Sequence, residues 1–351
     1  MWDLTRRSCV WNTPAHTGFV RGIAADQTGN TFYTCGDDKY IKQWTLAPEP
    51  AEVYEPLSVF TSPHSLTGID HHWVDPQFAT SGEAVCVWDG TRTTEPLHTY
   101  KWGADAVLSI AYNPAEACLL GSTASDRSVV LYDLRASVPM RKFVLSMKSN
   151  KIAWNPREPL NFTLANEDNN LYTFDMRNLQ TPRMIHKDHV SAVMDVAYSP
   201  TGREFVTGGY DRTVRIFNVN AGRSRDLYHT KRMQRVFTVQ YSVDSQYVLS
   251  GSDDTNIRIW KTNSSKALGT QSIRKEKKEQ LHATLKKRYG HMPEIARISR
   301  DNPVPKSIKK AVYLNHVQKS AARKKNENRK RHRSDYAIEP ERKKVVLREY
   351  E

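Results

Sequence analysis

Two sets of residues in this sequence carry the side chains of a hydrolase catalytic triad at one shared spacing. The two sets are His16, Thr34 and Asp38, and His189, Thr207 and Asp211. An imidazole, a hydroxyl and a carboxylate can serve as base, nucleophile and orienting group. A catalytic site occurs once in a domain, however, whereas this pattern recurs, so we interpret both sets as structural. The sequence has no P-loop, nucleophile elbow, HExxH motif or Cys/His metal cluster, and we predict neither enzyme activity nor a cofactor.

A longer repeat surrounds these residues. An aromatic residue closes an apolar run at intervals of 42–44 residues, at Trp2, Trp44, Trp88, Tyr132, Phe174, Phe217 and Trp260. Six positions before these aromatics stand Asp38, Gly82, Asp126, Asp168, Asp211 and Asp254, so that only the position before Trp88 lacks an aspartate. A period of about 40–45 residues with short β-like runs is typical of β-propeller blades, each of four antiparallel strands.

The repeated residues resemble the His–Ser/Thr–Asp–Trp hydrogen-bond network of WD-repeat blades. An aspartate buried between blades needs an imidazole and a hydroxyl to satisfy its charge. The set of His16, Thr34 and Asp38 is completed by Trp44. The second set ends in Phe217, which has no indole N–H to donate. We therefore expect one complete network and one that lacks its last member.

The repeat predicts an all-β fold, a WD-repeat β-propeller over residues 1–263, followed by a basic, partly helical C-terminal tail over residues 264–351. Six repeat units run from residue 4 to about residue 262, and only Trp2-Asp3 and a strand around residues 8–12 precede them. A seven-bladed ring would lack three inner strands of its first blade. We expect a chain shortened at its N-terminus, by truncation or by a misassigned start codon; unaided closure of six blades is the alternative.

The positive charge of the chain is concentrated in this tail. Residues 264–351 contain 25 Lys and Arg against 10 Asp and Glu, whereas residues 1–263 contain 27 against 28. Such asymmetry indicates a polyanionic partner, most often nucleic acid, with a merely solubilising tail as the alternative. The tail composition predicts helices over Ser272–Tyr289 and Lys306–Lys330. No apolar run approaches the ~18–20 residues of a membrane span, so we expect no membrane partner.

A dense group of cations lies in the second predicted helix and just beyond it. It comprises Arg323, Lys324, Lys325, Arg329, Lys330, Arg331 and Arg333. Clusters of Lys and Arg neutralise nucleic-acid phosphates and also act as nuclear-localisation signals. We predict that these residues contact RNA and direct the protein to the nucleus.

Six segments, spread over nearly the whole chain, are similar to the SOF-type WD-repeat proteins of the small-subunit processome. They are Gly68–Trp73, Leu120–Arg135, Ala165–Arg177, His189–Phe217, His229–Gln234 and Met292–Ile298. The resemblance includes the basic tail, which ordinary WD-repeat proteins lack. It implies a non-enzymatic nucleolar assembly factor for pre-rRNA processing and small-subunit rRNA maturation. The implied partners are pre-rRNA, the box C/D guide RNA–protein particle and other processome proteins.

Two motifs resemble a second class, the WD-repeat substrate receptors of cullin-RING ubiquitin ligases. Tyr132-Asp133-Leu134-Arg135 and Phe174-Asp175-Met176-Arg177 both match an aromatic-Asp-x-Arg motif. In that class the arginine lies at the edge of a blade and contacts the ligase adaptor. The planar guanidinium suits such a contact because it donates bidentate hydrogen bonds. The alternative is that each arginine pairs with a nearby aspartate inside the propeller; the two functions do not exclude each other.

Overall fold

A computed structural model describes residues 2–3, 8–10, 12–46, 55–101, 105–136, 138–264, 272–300, 304–332 and 344–350, with the backbone alone at 298–300. The described residues before 262 form short antiparallel strands in seven sheets, and three helices and a last strand follow. The fold class predicted from the repeat is confirmed: an all-β WD-repeat propeller with an incomplete first blade and a partly helical C-terminal region.

The sheets follow one another in chain order, and within each blade successive strands are neighbours. A two-stranded sheet contains β1 (Trp2–Asp3) and β2 (Ser8–Cys9). The next three sheets contain β3 (Val20–Ala25), β4 (Thr31–Gly36), β5 (Tyr40–Thr45) and β6 (Ser58–Thr61); β7 (Gly68–His71), β8 (Gln77–Ser81), β9 (Val85–Asp89) and β10 (His98–Tyr100); and β11 (Val107–Tyr112), β12 (Leu119–Ala124), β13 (Ser128–Asp133) and β14 (Pro139–Leu145). The last three contain β15 (Ser149–Trp154), β16 (Asn161–Asn166), β17 (Asn170–Asp175) and β18 (Met184–Lys187); β19 (Val193–Tyr198), β20 (Glu204–Gly209), β21 (Val214–Asn218) and β22 (Ser224–Tyr228); and β23 (Val236–Tyr241), β24 (Tyr247–Ser252) and β25 (Ile257–Lys261).

Turn residues set the length of each strand. The turn between β19 and β20 contains Pro200 and Gly202, and Gly202 has a φ of +66°, which disfavours residues with a side chain. A Cβ at Gly202 would also clash with the Cβ of Arg157 in the preceding blade. Glycine is therefore required twice over, by the backbone conformation and by the close approach of the neighbouring blade.

Neighbouring sheets pack face to face and enclose the core. The innermost strands β3, β7, β11, β15, β19 and β23 contact one another in chain order. A Cβ at Gly121 of β12 would lie 2.7 Å from the Cδ1 atom of Ile152 in the next blade, so glycine allows the two sheets to approach closely. Phe162 and Phe174 stack with their ring centroids 5.9 Å apart in the largest core cluster. Buried aromatics of this size contribute strongly to the stability of the blade interfaces.

The sheets at the two ends of this series expose apolar residues that inner sheets bury. Val214 of β21 and Ile257 of β25 occupy the same register position, but Val214 is fully buried and Ile257 is 71% exposed. Val196 of β19 and Ile23 of β3 also correspond, and Ile23 is 68% exposed. An adjacent sheet covers Val214 and Val196, whereas no sheet among the described residues covers Ile257 and Ile23 in this way. The exposed positions therefore mark two faces on which a further blade would pack, in keeping with a seven-bladed architecture.

Three helices follow the last sheet: α1 (Ile273–Tyr289), α2 (Pro293–Arg300) and α3 (Lys306–Arg331). The first and third lie within one residue of the helices predicted from composition. The composition of the tail did not predict α2, which begins at Pro293. Proline is well placed at the first position of a helix, because its missing N–H has no partner there in any case.

The tail ends in a strand that the sequence did not predict. Strand β26 (Val346–Tyr350) pairs antiparallel with β14 and extends the blade of β11–β14 to five strands. The sequence predicted a partly helical tail without a strand, and β26 corrects this for the last described residues. Val345 and Val346 pack against the core cluster of Phe143, which anchors the end of the tail on the propeller.

Candidate interaction surfaces

The first of the two triad-like sets is a closed network inside the blade of β3–β6. The Nδ1 atom of His16 lies 2.9 Å from both carboxylate oxygens of Asp38, and its Nε2 atom lies 2.8 Å from the Thr34 hydroxyl. The Trp44 indole N–H donates to the same hydroxyl at 2.9 Å. Because the Thr34 oxygen accepts this bond, its own hydrogen is free to donate to Nε2, while Nδ1–H donates to Asp38. Every polar group is satisfied, so the set holds the blade together.

The second set forms the same arrangement between β19, β20 and β21. The Nδ1 atom of His189 lies 2.9 Å from Asp211, and its Nε2 atom lies 2.7 Å from the Thr207 hydroxyl. Burial alone raises the pKa of Asp211, but the charge and hydrogen bond of His189, with Thr213 and Arg215, outweigh it and lower the pKa to about 2. The Thr207 hydroxyl, which would be the nucleophile of a triad, is fully buried, so the set is structural. The structure therefore brings together each predicted set without opening it to a substrate.

In the blade of β7–β10 the histidine and the carboxylate that correspond to His16 and Asp38 lie near the surface. Thr80 still accepts the Trp88 indole N–H at 3.0 Å, but His64 pairs instead with Glu83, at 2.9 Å and near the surface. The hairpin of β8 and β9 is two residues shorter than that of β4 and β5, because six positions separate Thr80 from its register partner and eight separate Thr34 from its own. A cavity of about 250 Å³ remains beside Thr80 and Trp88. Counting six positions back from Trp88 therefore reached Gly82 and missed the pair.

The two aromatic-Asp-x-Arg motifs have nearly identical geometry in adjacent blades. The Arg135 guanidinium donates to Asp133 at 3.2 and 3.3 Å, and that of Arg177 donates to Asp175 at distances down to 2.8 Å. These hydrogen bonds lower the pKa of both aspartates. The arginine side chains nevertheless remain 73% and 69% exposed. Each arginine thus has a partner within its own motif and still presents most of its surface to solvent.

Strand β26 ends close to these motifs. Its register places Glu349 opposite Phe143 on β14. The Arg141 guanidinium lies 3.9 Å from the Glu349 carboxylate and donates to the main-chain carbonyl of Arg177 at 3.4 Å. Arg141 therefore links the end of the tail to the second motif.

The cationic group of the tail surrounds α3. Six of its members are exposed on the helix, and Arg333 lies outside the described residues. At 3.6 residues per turn the six point in three directions around the axis, in the pairs Arg323 with Lys330, Lys324 with Arg331, and Lys325 with Arg329. Within the described part of the chain none of the six forms an ion pair. The end of α3 is therefore a positively charged rod rather than a single basic face.

The other end of α3 is fixed to the propeller. Ile308 is buried, and with Val312 and Tyr313 it lines one side of an open cleft of about 480 Å³. Asp188 and Arg215 of the propeller line the other side. Burial lowers the pKa of Arg215, against the opposing effect of Asp211 and Asp188. The helix is thus docked near Lys306 and projects its cations away from this contact.

Two kinds of feature are absent from the described ranges. No helix in them is long and apolar enough to cross a membrane. Nor do they contain a group of three or more His, Cys, Asp or Glu side chains arranged to hold a metal ion.

Comparison with known proteins relates both parts of the chain to one family. A model described as Sof1-like domain matches residues 262–346, and the WD domain, G-beta repeat model matches residues 7–45, 94–133, 180–218 and 226–261. The DDB1- and CUL4-associated factor 13 of Xenopus tropicalis is 46% identical over 350 residues, which cover 99% of this chain and 78% of that protein. The chain belongs to the Sof1-like family of WD-repeat proteins.

Other members of the Sof1-like family show similar agreement. The human DDB1- and CUL4-associated factor 13 is 47% identical over 333 residues, with coverage of 95% of this chain and 75% of the relative. Protein SOF1 of Saccharomyces cerevisiae is 40% identical over 369 residues, with coverage of 99% and 75%. The resemblance stated from the sequence, to SOF-type proteins and to WD-repeat ligase receptors, is confirmed at the level of these two kinds of relative.

The Sof1-like model spans the whole helical part of the tail. It begins directly after β25 and ends at the first residue of β26, so it includes α1, α2 and α3. The family match therefore covers all three helices, including the exposed cations of α3.

Proposed function

We propose that this Sof1-like protein is a non-enzymatic scaffold of the small-subunit processome. It acts in pre-rRNA processing and maturation of the small-subunit rRNA, in the nucleolus. Residues 1–263 form the platform for processome proteins, and residues 264–351 form the tail that contacts pre-rRNA and the box C/D guide RNA–protein particle. Family membership supports this proposal, since one relative is named Protein SOF1.

The observation that carries the RNA assignment is the unpaired charge of α3. Its six exposed cations point in three directions, which allows phosphates to approach the helix from several sides. Each phosphate that a Lys or Arg neutralises releases counterions, so this contact gains free energy without reading sequence. The predicted role of Arg323, Lys324, Lys325, Arg329, Lys330, Arg331 and Arg333 in RNA contact and nuclear import rests on this charge.

The propeller supplies a rigid surface rather than a reaction centre. Loops positioned by a stable scaffold are the usual sites of protein contact. The networks of Asp38 and Asp211 fix the blades that carry those loops. We therefore assign protein contacts to the propeller and RNA contacts to the helical tail.

The test neutralises α3 in the full chain. All six described cations of the group are changed to Gln, which keeps helix propensity. A matched control changes six exposed cations of α1 to Gln: Lys275, Lys277, Lys278, Lys286, Lys287 and Arg288. We expect affinity for single-stranded RNA to fall at least about tenfold at 150 mM salt in the α3 variant. The slope of log affinity against log salt should decrease by up to about 4.

The control separates a specific site from total charge. The α1 variant should keep an affinity within about threefold of the parent chain. Equal losses in the two variants would reject α3 as the RNA site. In cells, cross-linking of the parent chain should recover pre-rRNA and the box C/D guide RNA, and recovery of neither would reject the processome role.

A second function is favoured by the paired motifs: substrate receptor of a cullin-RING ubiquitin ligase, within the ubiquitin conjugation pathway. Arg135 and Arg177 lie at matching positions in consecutive blades and are largely exposed despite their bonds to Asp133 and Asp175. The name of the vertebrate relatives, DDB1- and CUL4-associated factor 13, supports an adaptor contact. An exposed, pre-oriented guanidinium can exchange its aspartate for an adaptor group at little cost.

Co-purification of the adaptor DDB1 tests this function. Changing Arg135 and Arg177 to Ala should lower the recovery of DDB1 and leave the association with processome proteins intact. Arg183→Ala is the matched control, because Arg183 is also exposed and bonds to Glu158 at 2.9 Å. Unchanged recovery of DDB1 in a folded double variant would support the purely intramolecular role of the two arginines.

A further inference from the structure

One loop and one turn of neighbouring blades bring together basic and aromatic side chains that the proposed function does not use. The loop of residues 229–235 connects β22 to β23, and the turn of residues 210–213 connects β20 to β21. The exposed cations are Arg212, Lys231, Arg232 and Arg235. The Arg235 guanidinium lies 4.9 Å from the ring centroid of Tyr210, so the loop and the turn form one surface.

Core packing and main-chain hydrogen bonds fix the conformation of the loop of residues 229–235. Met233 is buried in the core cluster of Val236 and Val239, and its N–H donates to the carbonyl of Thr230 at 3.3 Å. The carbonyl of Arg235 accepts a bond from the Asp253 N–H at 2.9 Å. With its apolar member inside and its main chain bonded, the loop presents its cations outward in a fixed arrangement.

These four cations lack the acidic partners that neighbouring basic residues have. Arg225 bonds to Glu204 at 2.6 Å, and Arg258 is paired with Asp254 on the adjoining turn. Across the described residues, no carboxylate lies within ion-pair distance of Arg212, Lys231, Arg232 or Arg235. Asp253 is exposed nearby and also without an ion pair among the described residues, which leaves four unpaired cations beside one unpaired carboxylate. The surface therefore carries a local excess of positive charge on a propeller that is nearly neutral as a whole.

Aromatic rings lie among the charges. Tyr210 contacts Phe237 of β23 edge to face, with centroids 6.1 Å apart and ring planes at 90°. Phe237 is 42% exposed, so part of its ring is available for stacking. A cationic surface with interleaved aromatic rings is the common plan of single-strand nucleic-acid sites: the cations follow the backbone and the rings stack with bases.

We propose that this surface binds single-stranded RNA and is a second RNA site, on the propeller itself. Lys231, Arg232 and Arg235 contact phosphates, and a base stacks on the exposed part of Phe237 beside Tyr210. The inference rests on the proposed function for the class of partner. The RNA site inferred here lies on the propeller, whereas the proposed function places RNA on α3.

The test compares matched sets of substitutions in the full chain. One variant changes Lys231, Arg232 and Arg235 to Gln. The control changes Arg92, Arg157 and Arg203 to Gln, since these are also exposed and lie in loops at the opposite end of the strands. A third variant, Phe237→Ala, removes the stacking ring. Each is made in the parent chain and in the α3-neutralised chain, and binding to a 12-nucleotide single strand and a 12-base-pair RNA duplex is measured by fluorescence anisotropy.

The loop variant should lower the slope of log affinity against log salt by about 2 for the single strand, as three lost phosphate contacts predict. The control triple should bind within about twofold of its parent. Phe237→Ala should weaken single-strand binding about tenfold with little change in the salt slope, and leave duplex binding unchanged. Melting temperatures confirm that all variants are folded.

Three results would overturn the inference. The first is a loop variant indistinguishable from the control triple. The second is an equal effect of Phe237→Ala on single strand and duplex. The third is displacement of the RNA by polyglutamate with no effect of Phe237→Ala, which would indicate an acidic-protein site. If RNA binding persists in the α3-neutralised chain and disappears in the loop variant, the site on the propeller is supported. The same result counts against α3 as the main RNA site. The reverse result supports α3 and rejects the loop.

Discussion

The propeller and the helical tail differ in how far their basic side chains are matched by acidic ones. In the propeller, the buried Arg215 lies 3.9 Å from Asp211 and Arg225 bonds to Glu204 at 2.6 Å, and the net charge of residues 1–263 is close to zero. On α3 the cations are exposed and have no acidic partner in the described part of the chain. Removing one member of a buried, matched pair destabilises the fold, whereas an exposed, unmatched charge is available to a partner. Stability and RNA affinity should therefore respond to different residues.

Removal of a buried carboxylate should have the largest effect on stability. Asp211→Ala leaves the fully buried His189 without its carboxylate partner, which lies 2.9 Å away. We expect a loss of about 3–5 kcal/mol in the free energy of unfolding, as is usual when one member of a buried pair is removed. Urea unfolding measures this loss, and RNA affinity of the folded fraction should not change.

Asp37→Ala is the matched control for this experiment. Asp37 accepts two hydrogen bonds from Arg21, but both side chains are partly exposed. An exposed pair of this kind contributes less than about 1 kcal/mol. If the two variants lost equal stability, burial would not be what separates structural from available charge in this protein.

Acid titration should separate two aspartates of the propeller that differ in their partners. Asp211, with His189, has a pKa lowered to about 2, whereas burial raises the pKa of Asp70 to about 6 against the N–H donors of Tyr112 and His71. Below pH 4 the unfolded chain protonates its aspartates before Asp211, so stability falls by about 2 kcal/mol as the pH decreases from 4 to 2. Between pH 4 and 6 the folded chain retains the proton of Asp70, so stability falls by about 2 kcal/mol as the pH increases.

Asp70→Asn tests separately the decrease in stability between pH 4 and 6. The variant cannot ionise, so the decrease between pH 4 and 6 should flatten while the decrease below pH 4 remains. The slope of unfolding free energy against pH is the measurement, since the substitution also changes hydrogen bonding at every pH. A slope between pH 4 and 6 equal to that of the parent would show that Asp70 is not the group responsible.

The sequence was most informative where structure depends on local spacing. Aromatic residues at intervals of 42–44 predicted the blades, and the count from His16 to Trp44 predicted which side chains meet. Helices α1 and α3 followed from composition because a helix closes its hydrogen bonds within a few residues. These features repeat or lie close together along the chain, so one sequence suffices to detect them.

Features that depend on distant contacts escaped prediction. Strand β26 has only five residues, and its partner β14 lies about 200 positions earlier, so its pattern alone does not indicate a strand. His64 and Glu83 were missed because a hairpin two residues shorter moved them out of the counted positions. The surface of Tyr210 and Arg235 joins two loops that are adjacent only after the blades have packed. The spacing of residues along the sequence does not reveal that these two loops are adjacent.

The smallest predicted effect concerns the place where the two regions meet. Val345 and Val346 pack on the propeller core at the start of β26, and the double change to Ala removes about 1–2 kcal/mol of apolar contact. Hydrogen exchange should show lost protection in β26 and on the outer edge of β14, whereas Leu347→Ala, on an exposed side chain of the same strand, should not. The midpoint of global unfolding and RNA affinity should both stay constant, because β14 remains paired with β13 and α3 keeps its cations. A shift of the global midpoint would mean that tail and propeller unfold as one unit, and stability and affinity would then no longer belong to separate regions.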